Sequence, residues 1–207
     1  MTVEILVALA AFALITSITP GPNNLMVMAS GANFGIRRTL PHMAGVLTGF
    51  NFMIWMVGAG LIGVLEAIPA SFIVLKALSA AFLIYLAWKI ANAAAPGDDQ
   101  NAVGGQNAIG GKPLTFLQAA AFQWVNPKAW ALSLAAVGAY ASDAHPILSL
   151  AAVSVIFLAA GIPSVSSWLL LGTQLRRFLT NATRLRIFNW TCAALLLATL
   201  WPILSAV

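Results

Sequence analysis

The sequence predicts an all-α polytopic membrane protein, with six transmembrane helices forming two inverted three-helix repeats and the first and fourth spans interrupted by proline. Three observations carry that expectation. The 207 residues are 61% hydrophobic and 7% charged, with a mean hydropathy of +0.93, against about 25% charged in soluble domains. The apolar runs are long and continuous, whereas a β-barrel needs alternating strands of about ten residues. Two of the runs are broken near their centres, at Thr19-Pro20-Gly21-Pro22-Asn23-Asn24 and at Gln123-Trp124-Val125-Asn126-Pro127-Lys128.

A hydrocarbon core of about 30 Å takes about 20 helical residues. The first span covers about residues 3–32, long enough to contain its break. Met1-Thr2-Val3-Glu4 carries no basic stretch, so this segment reads as a retained span and not a cleaved signal. Spans two and three cover about residues 40–65 and 69–94. Residues 95–113, rich in Gly, Asn and Asp, form a cytoplasmic linker between a first repeat, 1–94, and a second, 114–207. Spans four, five and six then cover about residues 114–140, 147–172 and 185–203.

Lys and Arg gather at one end of these spans. Arg37 and Arg38 lie between spans one and two, Lys89 and Lys112 flank the linker, and Arg176, Arg177, Arg184 and Arg186 lie between spans five and six. Glu4, Glu66 and Asp143 mark the opposite end. The positive-inside rule places the basic loops in the cytoplasm and both termini outside. The chain is expected in the lipid bilayer of the plasma membrane, the inner membrane of a bacterium. The net charge of +5 belongs to these helix ends and does not call for nucleic acid. Asn181-Ala182-Thr183 matches a glycosylation acceptor but falls on the cytoplasmic side. His42 follows Pro41 at the start of span two and is expected at the interface. Lys76, about two turns into span three, is expected to snorkel outward.

Gly45-Val46-Leu47-Thr48-Gly49 and Gly31-Ala32-Asn33-Phe34-Gly35 have the small-xxx-small spacing that lets helix backbones approach. Close packing within the subunit is the expected use, and a homo-oligomer remains compatible. Cys192 is the single cysteine, which leaves no disulfide and no CxxC pair and reads as packing.

The breaks carry the chemistry. Pro20, Pro22 and Pro127 lack an N–H, so the carbonyls of Thr16, Ile18 and Gln123 lose their helical partners. Irregular backbone survives in lipid only where it faces protein or a wet cavity. Asn126 suits the N-cap of a new helix with Pro127 at its first position, and Gly21-Pro22 can play the same part. Pro20 and Pro127 are 107 residues apart, and at that offset Gly31-Ala32 aligns with Gly138-Ala139. Interrupted helices in inverted repeats commonly meet at a midplane site.

Helix N-termini suit anions. Two of them, near Asn23-Asn24 and near Lys128-Ala129, can hold a carboxylate. The freed carbonyls and the side chains of Asn23, Asn126 and Gln123 can accept hydrogen bonds from an ammonium group, so a zwitterion fits. Candidate substrate-binding residues are Thr16, Pro20, Gly21, Pro22, Asn23, Asn24, Asn51, Gln123, Asn126, Pro127 and Lys128. Lys128 is the one ionisable group placed deep in the membrane, where a charge is costly and usually functional. It can pair with a carboxylate or exchange a proton, and snorkelling is its plainer alternative. Trp124 and Trp130 can offer a cation–π face, although packing is the more ordinary use of each. No metal and no cofactor is expected.

The residues resemble the lysine exporter (LysE/RhtB) family of amino-acid efflux proteins. The resemblance rests on Leu14-Ile15-Thr16 leading into Thr19 to Asn24, then Gly35 with Arg37 and Arg38, and Gly45 with Gly49. It continues through Phe82-Leu83-Ile84-Tyr85-Leu86-Ala87-Trp88-Lys89 and through Gln123 with Asn126-Pro127-Lys128-Ala129. The Thr-Pro-Gly-Pro-Asn-Asn form and the Ala-Trp-Lys ending of span three are shared with cysteine/O-acetylserine exporters. Ser79, where a glycine is usual, and Phe82, where a tyrosine is frequent, depart from the pattern. The resemblance implies a secondary transporter that exports amino acids or close derivatives, small neutral ones favoured, driven by the proton gradient. Alternating access around the midplane site is the expected cycle; a channel or a non-transporting scaffold is the alternative. An intramembrane protease would need a Ser/His pair or two aspartates at depth, and a thiol carrier would need two cysteines, so no enzyme is expected.

Overall fold

A computed structural model of the chain describes residues 1–68, 70–93, 112–142 and 144–201. The greater part of the expected linker, together with Pro69, Asp143 and the end of span six, lies outside the described residues. Those described form helices joined by short turns: α1 (Val3–Ile18), α2 (Pro22–Phe34), α3 (Ile36–Gly58), α4 (Leu61–Glu66), α5 (Ser71–Ala91), α6 (Phe116–Phe122), α7 (Pro127–Tyr140), α8 (Pro146–Leu175) and α9 (Ala182–Ala198). A 3₁₀ turn, Gln123–Val125, joins α6 to α7.

α3, α5 and α8 are long and apolar enough to cross a membrane. The bent pair α1–α2 is a fourth candidate, with a 53° angle at its break. α1 has 16 residues and α2 has 13, or about 24 and 20 Å of rise, so each alone falls short of about 30 Å. α9, at 17 residues, is also short of a full crossing. The perimeter is apolar: Val3, Ile15, Ile73, Leu117, Ile147 and Ile187 are all well exposed, as lipid-facing residues must be. The chain is a multi-pass membrane protein.

The second expected span ends earlier than residue 65. α3 stops at Gly58, and Gly60 turns the chain in the left-handed region at φ 91 before α4. A side chain there would be strained, which is why the apolar run continues while the helix does not.

α8 is the central element, packed on α1, α2 and α3, while α3 also holds α6 and α7. Glycine sets the distances. A Cβ on Gly172 would lie 2.0 Å from the Met28 carbonyl oxygen, so α2 and α8 touch backbone to backbone. A Cβ on Gly49 would lie 2.7 Å from Ala120 Cα, and one on Gly45 would meet the Phe116 carbonyl oxygen at 2.3 Å. The Gly45/Gly49 pair therefore packs within the subunit, against α6. Gly31 does the same against Leu169, but Gly35 is a chain-turning residue at φ 77. Gly138 meets nothing within 4 Å, so the Gly-Ala match between the repeats does not correspond to shared packing.

Ser79 and Phe82 have definite uses. Ser79 is buried and donates to the Leu75 carbonyl at 2.7 Å, and Phe82 stacks on Phe122 with centroids 5.3 Å apart. Cys192 is buried beside Leu25, Met28 and Ala29. Asn181 caps α9, its Oδ1 accepting from Thr183 N at 2.8 Å. His42 is 1% exposed, turned into the bundle in the second turn of α3, with neither ring nitrogen hydrogen-bonded among the described residues.

Candidate functional site

The first break is stitched together by side chains. The Thr16 carbonyl accepts from Thr19 Oγ1 at 2.8 Å, and the Ile18 carbonyl from Trp168 Nε1 on α8 at 3.1 Å. The Ser17 carbonyl accepts from Ser164 Oγ at 2.7 Å and from Asn24 Nδ2 at 2.8 Å. Asn24 Nδ2 also reaches the Thr19 carbonyl at 2.9 Å, so this side chain caps the end of α1. At the second break the Gln123 carbonyl accepts from Asn126 N at 3.2 Å. The carbonyls of Thr16, Ile18 and Gln123 are thus already paired, which corrects the expectation of free acceptors. A buried carbonyl without a partner is too costly to wait for a ligand when donors are within reach.

The two helix starts also differ, contrary to the symmetrical expectation. Asn126 caps α7, with Oδ1 accepting from Lys128 N at 3.2 Å and Pro127 at the first position. The Ala129 and Trp130 N–H groups return to the Asn126 carbonyl at 3.0 and 3.2 Å. No N–H of that first turn is left for an anion. α2 starts at Gly21 without a side-chain cap. Pro22 has no N–H, and Leu25 N bonds the Gly21 carbonyl at 3.0 Å. The N–H groups of Asn23 and Asn24 are therefore the orphan donors of this helix start, at the positive end of its dipole.

The breaks touch one another. Lys128 Nζ donates to the Thr19 carbonyl at 2.9 Å and to Thr19 Oγ1 at 2.8 Å. Gly21 leaves room for it: a Cβ there would sit 2.8 Å from Lys128 Cδ. Asn23 Nδ2 donates to Gln123 Oε1 at 2.8 Å, and Gln123 Nε2 donates back to Asn23 Oδ1 at 3.1 Å. Gln123 is fully buried, and its Nε2 is shared with the Ala119 carbonyl at 2.9 Å.

A cavity of about 570 Å³ of empty space, in part open to the surroundings, lies against this junction. Thr16, Gly21, Asn23, Asn24, Asn51, Asn126 and Lys128 line it; Pro20, Pro22, Gln123 and Pro127 do not. The prolines shape the backbone, and Gln123 holds Asn23 from behind. Asn51 Nδ2 donates to the Leu47 carbonyl at 3.0 Å. Its Oδ1 accepts from Ser154 Oγ at 2.6 Å, and Ser154 in turn accepts from Trp55 Nε1 at 3.2 Å. Among the described residues, Lys128 is the sole charged group in the lining. Trp124 and Trp130 lie outside the lining; they meet edge to face at 6.1 Å, and Trp130 Nε1 donates to the Trp124 carbonyl at 2.8 Å.

Sequence reasoning missed the wall supplied by α8. Phe157, Gly161 and Val165 line the cavity, and Phe50 and Leu132 complete its apolar side. The available signal was Gly161-Ile162-Pro163-Ser164, a glycine and a proline inside an apolar span.

A family model for LysE type translocators matches residues 14–199. A cysteine/O-acetylserine efflux protein of Escherichia coli (strain K12) is 31% identical over 179 residues, which is 86% of this chain and 87% of that protein. A protein of the same name from Klebsiella pneumoniae subsp. pneumoniae is 30% identical over 199 residues, 95% of each chain. One from Shigella flexneri is 31% identical over 179 residues, again 86% of this chain and 87% of the relative. No solved structure matches.

Proposed function

The chain belongs to the LysE type translocator family, and on that premise we propose that it is a secondary transporter exporting amino acids or their close derivatives, with small neutral ones preferred. The observation that carries this reading is the cavity at the junction of the two breaks. It joins an uncapped helix start, one cationic side chain and an apolar wall.

A substrate carboxylate sits at the α2 start, taking the Asn23 and Asn24 N–H groups. Lys128 gives up one of its two Thr19 oxygens to meet it, exchanging a neutral partner for a charged one, and charge-assisted bonds are the stronger kind. The ammonium group finds no carboxylate among the described lining residues. It is held by the oxygens of Asn51 and Thr16, and carbonyls around the break can add second hydrogen bonds. Phe50, Leu132, Phe157 and Val165 leave an apolar space for a short uncharged side chain. The names of the relatives support this choice, since cysteine and O-acetylserine are small and carry no net side-chain charge.

In this reading the chain crosses the bacterial inner membrane six times as two inverted three-span repeats, with both termini outside. The α6–α7 segment and α9 complete their crossings despite their short helices. The repeats, 1–94 and 114–207, rock about the junction to give alternating access. Lys128 is the group that responds to a proton gradient.

Counterflow of labelled amino acids in proteoliposomes tests the proposal. Exchange of cysteine, O-acetylserine or alanine is expected, and an imposed pH gradient accelerates it. A panel of neutral, basic and sulfur-containing amino acids that shows no counterflow, or steady electrical conductance in its place, overturns the proposal.

A further inference from the structure

A second cavity lies at the other end of the packed bundle, away from the breaks. It holds about 420 Å³ of empty space, partly open to the surroundings, between the end of α2, the start of α3, the end of α5 and residues 112–114. Three of its lining groups are basic: His42, Lys89 and Lys112. Among the described residues, no Asp or Glu lines it.

Its polar groups divide into two kinds. Ser30 and Asn33 are spent within the protein: Ser30 Oγ is hydrogen-bonded to Thr39 Oγ1 at 2.8 Å, and Asn33 Nδ2 donates to Asn189 Oδ1 and to the Ala29 carbonyl, each at 2.8 Å. His42 is different. The ring is 1% exposed, and neither Nδ1 nor Nε2 has a hydrogen-bond partner among the described residues. A buried polar atom with no partner costs about 1–3 kcal/mol. Native structures tolerate few such atoms, and each points to something that completes it. Here the two atoms belong to one ring in a cavity whose charged groups, among the described residues, are both cations.

We propose that this cavity is a second ligand site, one that takes the carboxylate of a small organic acid or amino acid, with His42 donating a hydrogen bond to it and Lys89 and Lys112 supplying the attracting charge. The rest of the wall, which includes Met26, Leu86, Ile90 and Leu114, is apolar, so a carboxylate on a short apolar body fits better than a strongly hydrated phosphate. The site is separate from the cavity at the breaks and does not depend on how that cavity works.

The chain has two histidines, and the exposed His145 serves as an internal control. Protein labelled with ¹⁵N-histidine, purified in a neutral detergent, is titrated with sodium acetate at constant ionic strength maintained by sodium chloride. The His42 ring resonances move and saturate, while those of His145 do not. In K89Q/K112Q the His42 signals stay single and sharp, and acetate binds about tenfold more weakly. Should the double variant fail to fold, K89Q and K112Q are titrated singly, and each weakens binding. The proposal is overturned if His42 moves no more than His145, if the movement follows ionic strength and not acetate, or if the lysine variants titrate like wild type. The same measurement in phosphatidylcholine nanodiscs, with or without phosphatidylglycerol, separates a solute from a lipid headgroup. Movement of His42 with the anionic lipid and none with acetate also overturns the proposal.

Discussion

Replacing Lys128 with methionine keeps a long unbranched side chain and removes its charge. The structure sets the two consequences apart. In folding, the variant loses the 2.8 and 2.9 Å hydrogen bonds to Thr19. Neither acceptor is stranded. The Thr19 carbonyl keeps Asn24 Nδ2 at 2.9 Å, and the Thr19 hydroxyl still donates to the Thr16 carbonyl. The side chain is partly buried, so the lost bonds are offset by the charge no longer being desolvated. The net effect is about 0–1 kcal/mol, a change of a few degrees at most in Tm. In transport, the variant loses a charge-assisted contact to the substrate carboxylate, worth about 1.5–3 kcal/mol. That corresponds to roughly a 10- to 150-fold rise in the half-saturating substrate concentration. The assays are counterflow of a labelled amino acid over a range of concentrations, and thermal unfolding of the same preparations in detergent. Wild-type concentration dependence in Lys128→Met would refute the role given to this lysine. Loss of folded protein in place of lost affinity would show that the Thr19 bonds are structural and nothing more.

The other expectations concern how the junction is built. Asn23→Leu strands Gln123 Oε1 in a fully buried position and is expected to cost about 1–3 kcal/mol. Asn23→Leu with Gln123→Leu recovers part of that loss, and equal losses in the single and double variants would show that the amide pair does not couple the breaks. Gly172→Ala drives a methyl group to within 2.0 Å of the Met28 carbonyl oxygen; separating α2 from α8 is expected to cost about 1–3 kcal/mol, read as a lower melting temperature. Gly138→Ala, where a Cβ meets nothing within 4 Å, is its control and leaves the melting temperature unchanged or raised.

The breaks were legible in the sequence because proline acts locally. It removes its own N–H and restricts the residue before it, whatever lies nearby. The ends of α1 and α6, the Pro22 and Pro127 starts and the Asn126 cap all follow from that chemistry. Thr16, Asn23, Asn24, Asn51, Asn126 and Lys128 could be named as candidates too, since a polar group in an apolar span needs a polar neighbour, but which of them face the cavity could not be read. What those neighbours are was not legible. Thr19 and Lys128 are 109 residues apart and Asn23 and Gln123 are 100 apart, and no local rule connects such pairs. The burial of His42 was not legible for the same reason: it sits near the start of α3 beside Pro41, and only the packing of α2, α3 and α5 encloses it.

The sequence by itself determined that this protein lies in a membrane, where its helices break and which polar residues accompany the breaks. These are properties of composition and of single residues, and they survive in any arrangement of the helices. The tertiary structure decided which helix start remains free. The α7 start is closed by its own Asn126, whereas Gly21 offers no side chain to close α2 and instead admits Lys128 from across the bundle. That asymmetry arises from glycine-sized approaches between distant segments. Two breaks of similar composition thereby become one donor-rich wall and one self-satisfied wall of the same cavity.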